Sequence, residues 1–135
     1  MTTFFRIFAM LWLAIACIHT TVAKTFMPII SHYSPLDYRM GLQNWACTQD
    51  SRGTMYFGNN DGILAYDGYS WHTAKLPSRG IVRALLADGE RVYAGGYTDF
   101  GYFRRDSIGT LRYHSLWPKN YKTHDDEVWN IVKDG

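Results

Sequence analysis

Asn44 to Gly68 reads NWACTQDSRGTMYFGNNDGILAYDG, and this stretch decides how the rest of the chain is read. Three short apolar runs, Trp45–Thr48, Thr54–Gly58 and Ile63–Tyr66, are separated by segments with turn chemistry. Asp50-Ser51-Arg52-Gly53 supplies a carboxylate that can bond forward to backbone amides and a glycine free to take positive φ. Asn59-Asn60-Asp61-Gly62 and Asp67-Gly68 repeat the device. Such short runs between turns predict antiparallel strands, because a stable helix needs roughly ten or more unbroken residues. The stretch reads as a small meandering sheet.

The same unit recurs downstream. Trp45 stands five residues before Asp50, Arg83 five before Asp88 and Trp129 five before Asp134. Met55-Tyr56-Phe57-Gly58 matches Val92-Tyr93-Ala94-Gly95, and Gly62-Ile63-Leu64-Ala65-Tyr66 matches Gly101-Tyr102-Phe103-Arg104. The second unit follows the first by 38 residues and the third follows the second by 46, with the extra length in the loop from Pro118 to Glu127. All-β repeats of about 40 residues with about four strands each are the pattern of propeller blades. No window of the chain is read as carrying apolar residues at helical spacing for three turns, which disfavours helical repeats. The predicted fold class is all-β: two four-stranded antiparallel blades, at 44–76 and 82–117, and the start of a third at 128–135, an incomplete ring. Strands are expected near Ser70–Ala74, Val82–Ala87, Arg91–Gly95, Gly101–Arg104 and Leu111–Leu116. Apolar residues on both faces, as in Val82–Leu86, suit a sheet packed between two others.

Trp45, Asp50, Gly53, Tyr56, Gly58, Gly62 and the closing Tyr66-Asp67-Gly68 resemble the two-component regulator propeller repeat. Asp88, Gly89, Tyr93, Gly95, Gly101, Trp129 and Asp134 are its recurrences by the alignment above. Tyr56 stands where that repeat more often has Trp, a conservative departure. The resemblance covers about Ile29 to Gly135. Asp99–Asp106 (DFGYFRRD) and Asp125–Val132 (DDEVWNIV) are most similar to a subgroup from Bacteroides-type bacteria in which a triple-tyrosine domain follows the propeller. The resemblance implies a periplasmic sensor region, followed in the parent protein by a membrane helix and a helix-turn-helix or histidine kinase output. It allows a homodimer of that parent.

Repeats bury a core only against their neighbours, so fewer than about three are not expected to be stable alone. A closed propeller takes four to eight blades; the chain therefore reads as the amino-terminal piece of a longer protein, with the remaining blades as partners. Fourteen basic and twelve acidic residues give a formal charge of +2 and are scattered singly, so no nucleic-acid contact is expected. Of two cysteines, Cys17 falls in the leader, which leaves Cys47 without an intrachain partner and predicts a small buried core residue.

Residues 1–23 read as a signal peptide. Arg6 precedes twelve apolar residues, Ile7–Ile18, too few to span a bilayer, and Thr21-Val22-Ala23 offers small residues for cleavage before Lys24. An uncleaved anchor and a lipoprotein acylated at Cys17 are the alternatives. All three readings place the rest outside the cytoplasm. Residues 24–43 form a lead-in: Phe26–Tyr33 is expected as a strand, with Ile29–Tyr33 able to complete the last blade of a ring. Ser34-Pro35-Leu36-Asp37-Tyr38 then starts a turn or short helix with Pro at its first position.

No catalytic constellation, metal site or cofactor motif is predicted. The histidines His19, His32, His72, His114 and His124 lack metal-ligand spacing, and His72 and His114 fall at similar places in the last strand of each blade. Asn59–Gly62 lacks the alternating carboxylates and closing Glu of a calcium loop, and Asp125-Asp126-Glu127 reads as a solvated loop. The glycines do not lead into a helix that could cradle phosphate. Thr48–Thr54 approximates the aspartate box of sialidase-type propellers with one residue too many; that box is a structural turn, and a hydrolase is the weakest reading. Tyr97, Thr98, Asp99 and Phe100 read as a loop insertion relative to the first unit. Tyr97, Asp99 and Phe100 are the candidate ligand-binding residues, since rings beside a carboxylate can stack on a sugar and accept its hydroxyls. The functional expectation is a periplasmic sensor of an extracellular ligand, with carbohydrate as the candidate class. A secreted or surface scaffold propeller is the alternative.

Overall fold

The computed structural model describes residues 2–16, 27–120 and 126–134. The predicted cleavage site, Cys17, His19, Phe26, His124 and Asp125 lie outside the described residues. The chain divides into two units, Met1–Ser31 and His32–Gly135.

In the first unit α1 spans Thr2–Ala16, with Phe4, Phe5, Ile7, Phe8, Met10 and Trp12 exposed. An apolar run with no polar face has no stripe to detect, so its helicity is not legible from periodicity. Among the described residues no helix is long and apolar enough to cross a membrane. The strand predicted from Phe26 to Tyr33 is not found over 27–33. Extended backbone becomes a strand only beside an edge that takes its hydrogen bonds, which an apolar run does not by itself supply.

The second unit opens with α2, Pro35–Tyr38, with Pro at its start as predicted. The Ser34 N–H donates to the Asp37 carboxylate at 2.6 Å, and the chain leaves the helix through Arg39 in the left-handed region at φ 55. Two four-stranded antiparallel sheets follow. The first is β1 (Asn44–Gln49), β2 (Met55–Asn59), β3 (Gly62–Tyr66) and β4 (Trp71–Ala74). The second is β5 (Val82–Asp88), β6 (Arg91–Gly96), β7 (Phe100–Arg105) and β8 (Leu111–Ser115), again in simple chain order.

The sheets share one core. Tyr56, Ile63 and Ala65 of the first meet Val82, Leu85, Val92, Ala94, Phe103 and Leu111 of the second, with Leu76 from the crossover between them. Full burial of such side chains is worth about 1.5–3 kcal/mol each before ordering costs, which makes this contact the main stabiliser. On its other face the first sheet is covered in part by the lead-in. Tyr38 and Met40 pack with Leu64, Phe57 and Trp71, and Trp71 lies 4.7 Å from the Tyr66 ring and 5.3 Å from Tyr33.

Cys47 is free but exposed, which corrects the expectation of a core thiol. Cys47 opposes Phe57 as Leu85 opposes Ala94, so the two residues are equivalents. Leu85 is buried because the first sheet covers it; at Cys47 no described residue plays that part. Alternation assigns a residue to a face but cannot say whether anything covers that face.

The pairing also corrects the alignment of the third strands. Gly58 opposes Ile63 and Gly95 opposes Phe100; Phe57 opposes Leu64 and Ala94 opposes Gly101. Gly101 therefore corresponds to Leu64, and Gly62 to Asp99. Both turns hold two residues, Asn60-Asp61 and Tyr97-Thr98, the second closed by Gly96 N–H to Asp99 O at 3.0 Å. Tyr97–Phe100 is no insertion. The glycines misled the count because each serves the same purpose at a different place: a Cβ on Gly62 would lie 2.3 Å from Ala74 O, and one on Gly101 2.2 Å from His114 O.

Residues 128–134 form no named strand; among the described residues Glu127 makes one bridge, to Tyr97, and Val128 N–H donates to Gly96 O at 3.0 Å. A second strand for them to pair with is not among the described residues. The packing contact between the two sheets nonetheless recurs. Val82 lies against Gly58, where a Cβ would sit 2.6 Å from Val82 O, and Val128 lies against Gly95, where a Cβ would sit 2.4 Å from Val128 Cγ1.

Candidate functional site

The three residues predicted to bind ligand come together at the β6–β7 turn, where each already has contacts within the protein. The Asp99 carboxylate accepts from the Ser78 N–H at 3.2 Å and from the Ser78 hydroxyl, tying the turn to the crossover from the first sheet. Phe100 lies edge-on to Trp117 at 5.8 Å, and Trp117 donates its indole N–H to Thr98 O at 3.0 Å. Tyr97 keeps 41% of its surface exposed while its backbone pairs with Glu127. Phe100 and Trp117 also line an apolar cleft of about 430 Å³ with Val128, Ile131 and Val132.

Beside this turn stands an arrangement the sequence reading treated as structural. Asn44 and Ala46 pair with Asn59 and Gly58, and Val82 and Ala84 with Gly96 and Gly95, so each first strand has a bulge that sets one residue out of the ladder. Those residues are Trp45 and Arg83, the equivalents that stand five before Asp50 and Asp88. A bulge re-aims its side chain away from the ordinary alternation. The Arg83 Cζ lies 4.7 Å from the Trp45 ring centroid and 4.3 Å from that of Trp129, the third equivalent. The guanidinium is thus flanked by two indoles, contacts worth about 0.5–2 kcal/mol each depending on desolvation.

Around this ladder the polar partners are few and specific. Arg83 pairs with Glu127 at 3.6 Å, and the Trp45 indole N–H donates to Asn60 Oδ1 at 2.7 Å. Among the described residues the buried Arg83 Nε has no hydrogen-bond partner. Trp45 is 39% exposed and Trp129 61%, whereas the Arg83 side chain is only 15% exposed. Trp45 also borders an open pocket of about 330 Å³ with Asn44, Cys47 and Phe57. The recurrence of Trp45 and Trp129 was visible in the sequence; that an arginine at the same repeat position would stack between them was not, because side-chain identity differs there.

At the other end of the sheets lies Asp50, whose side chain is 3% exposed. Its carboxylate accepts from the Thr54 N–H at 3.0 Å, the Arg52 N–H at 2.9 Å and the Tyr56 hydroxyl at 3.1 Å. Burial raises its pKa, but these bonds, with the Arg52 charge, outweigh burial and hold it below the usual carboxylate value. The same turn chemistry recurs between β7 and β8, where Asp106 accepts from the Ile108 and Thr110 N–H groups. A cleft of about 210 Å³ between the sheets joins these turns, lined by Arg52, Arg104, Arg105, Glu90 and Asp106. Its three arginines outnumber its two carboxylates, Glu90 and Asp106. His72 opposes Ala65 on β4 and His114 opposes Tyr102 on β8, equivalent places; His114 stacks on Tyr102 at 5.0 Å. Among the described residues no group of three or more His, Cys, Asp or Glu could hold a metal ion. No family model, curated protein or solved structure matches this chain.

Proposed function

We propose that this chain is the amino-terminal part of a periplasmic β-propeller that senses an extracellular ligand, a saccharide by class. In this reading the apolar leader exports it, and further blades, a membrane helix and a transcriptional or kinase output belong to the same parent protein. The observation that carries the reading is the doubled contact of Val82 on Gly58 and Val128 on Gly95. One packing step applied again to an equivalent pair is what a series of like blades around an axis requires. The aromatic residues at the neighbouring turns, Trp45, Tyr97 and Trp129, support ligand recognition, since propeller loops can vary without disturbing blade packing.

Sequencing the coding region beyond Gly135 tests it. The sensor reading expects further repeats, then an apolar span of about 20 residues and a helix-turn-helix or kinase domain. A stop directly after the last repeat would remove the signalling part and leave a secreted scaffold.

A further inference from the structure

We propose that the cleft between the two sheets binds a small oxyanion, a carboxylate or a phosphate, between Arg52 and Arg105. The proposal stands apart from the saccharide-sensing reading above, and neither wall of this cleft waits on a further blade. Arg52 and Tyr56 come from the first sheet and its β1–β2 turn; Val92, Phe103, Arg105 and Leu111 come from the second.

Three observations point to this chemistry. First, Arg105 is a half-buried cation that no carboxylate neutralises among the described residues. Its guanidinium donates to the Gly109 carbonyl at 2.8 Å. Burial raises the pKa of the Tyr56 hydroxyl and the Asp50 charge adds to that, while Arg105 opposes both, which puts the guanidinium beside the Tyr56 wall of the cleft. Arginine carries five N–H donors in a planar fork that matches an oxyanion, so donors remain to be used. Second, the carboxylates nearby are engaged or screened. Asp106 is held at 3.0 Å by Arg112 and accepts from the Ile108 and Thr110 N–H groups. Asp50 accepts from Thr54, Arg52 and Tyr56. Glu90 stands exposed on the β5–β6 turn, where water and salt weaken its repulsion. Third, Arg52 is free to turn into the cleft. Its side chain is 64% exposed and its only ion pair among the described residues, to Asp50, is long at 3.4 Å. Behind both arginines lie Val92, Phe103 and Leu111, all buried, and an apolar wall strengthens charge-assisted bonds made against it. The space of about 210 Å³ holds an oxyanion with water around it. A cation would meet the arginine excess, and a neutral ligand would leave that excess unanswered.

The test uses the full chain, its fold checked by near-ultraviolet circular dichroism, in equilibrium dialysis against labelled inorganic phosphate and labelled acetate at one ionic strength set with chloride. Saturable binding of at least one of the two is expected. Arg105→Gln and Arg105→Lys are each expected to weaken it about tenfold or more, since lysine keeps the charge but loses the fork. Arg52→Gln is expected to weaken it as well. Lys75→Gln, which removes the same charge outside the cleft lining, is expected to leave it unchanged. Phosphate held more tightly than acetate would support the proposal with a phosphate as the source of the oxyanion, and the reverse order with a carboxylate. If folded wild-type chain holds neither anion, the proposal is overturned. It is overturned too if Arg105→Gln binds no worse than Lys75→Gln, because the anion would then answer to overall charge and not to the cleft.

Discussion

Asp50 shows how much one side chain can settle. Its carboxylate closes the β1–β2 turn through two backbone amides and reaches into the sheet to accept the Tyr56 hydroxyl. Because its folded pKa is depressed, its stabilisation is fully present above the unfolded-chain value of about 4 and is lost as pH falls through the lower folded value. Asp50→Asn is expected to cost about 1–3 kcal/mol at neutral pH, since buried donors lose their charged acceptor. Urea denaturation should show that gap narrowing below pH 4; a gap independent of pH would mean the charge contributes nothing. The sequence made this turn legible, because an Asp followed three residues later by Gly is sufficient local chemistry. It did not reveal the bond from Tyr56, which depends on where β2 places its side chain.

Among the elements, the seat of one sheet's first strand on the next sheet is the repeated event. Gly58 is glycine because the Val82 carbonyl passes where a Cβ would be, and backbone cannot yield there. At Gly95 the obstacle is the Val128 side chain, on a segment outside either sheet. Gly58→Ala is therefore expected to destabilise by about 2–3 kcal/mol and Gly95→Ala by about 1–2 kcal/mol, within the range for overpacking. Thermal denaturation of both variants checks the order; equal losses would show that Val128 is held as firmly as Val82. Strand existence was readable from turn residues and short apolar runs. The match of Gly62 with Gly101 failed because two glycines answered to different neighbouring carbonyls, and only the ladder separates them.

For the whole molecule, the unpartnered surface is the issue. Trp45 and Cys47 on one side and Trp129 and Val132 on the other are exposed, while the shared core lies between the sheets. Apolar surface of this kind favours association. The chain is expected to sediment as species larger than a monomer at high concentration and to melt over a broad range. A concentration-independent monomer with one sharp transition would contradict that.

The existence of the eight strands, most of their turns and the recurrence of the sheet unit were legible in the sequence alone, because turn chemistry and short apolar runs act over a few neighbouring positions. Which faces are covered, where Arg83 lies and that Asp99 is already engaged were decided only in the tertiary structure. Those outcomes depend on groups far apart in the chain meeting across two sheets, and no local pattern encodes the partner.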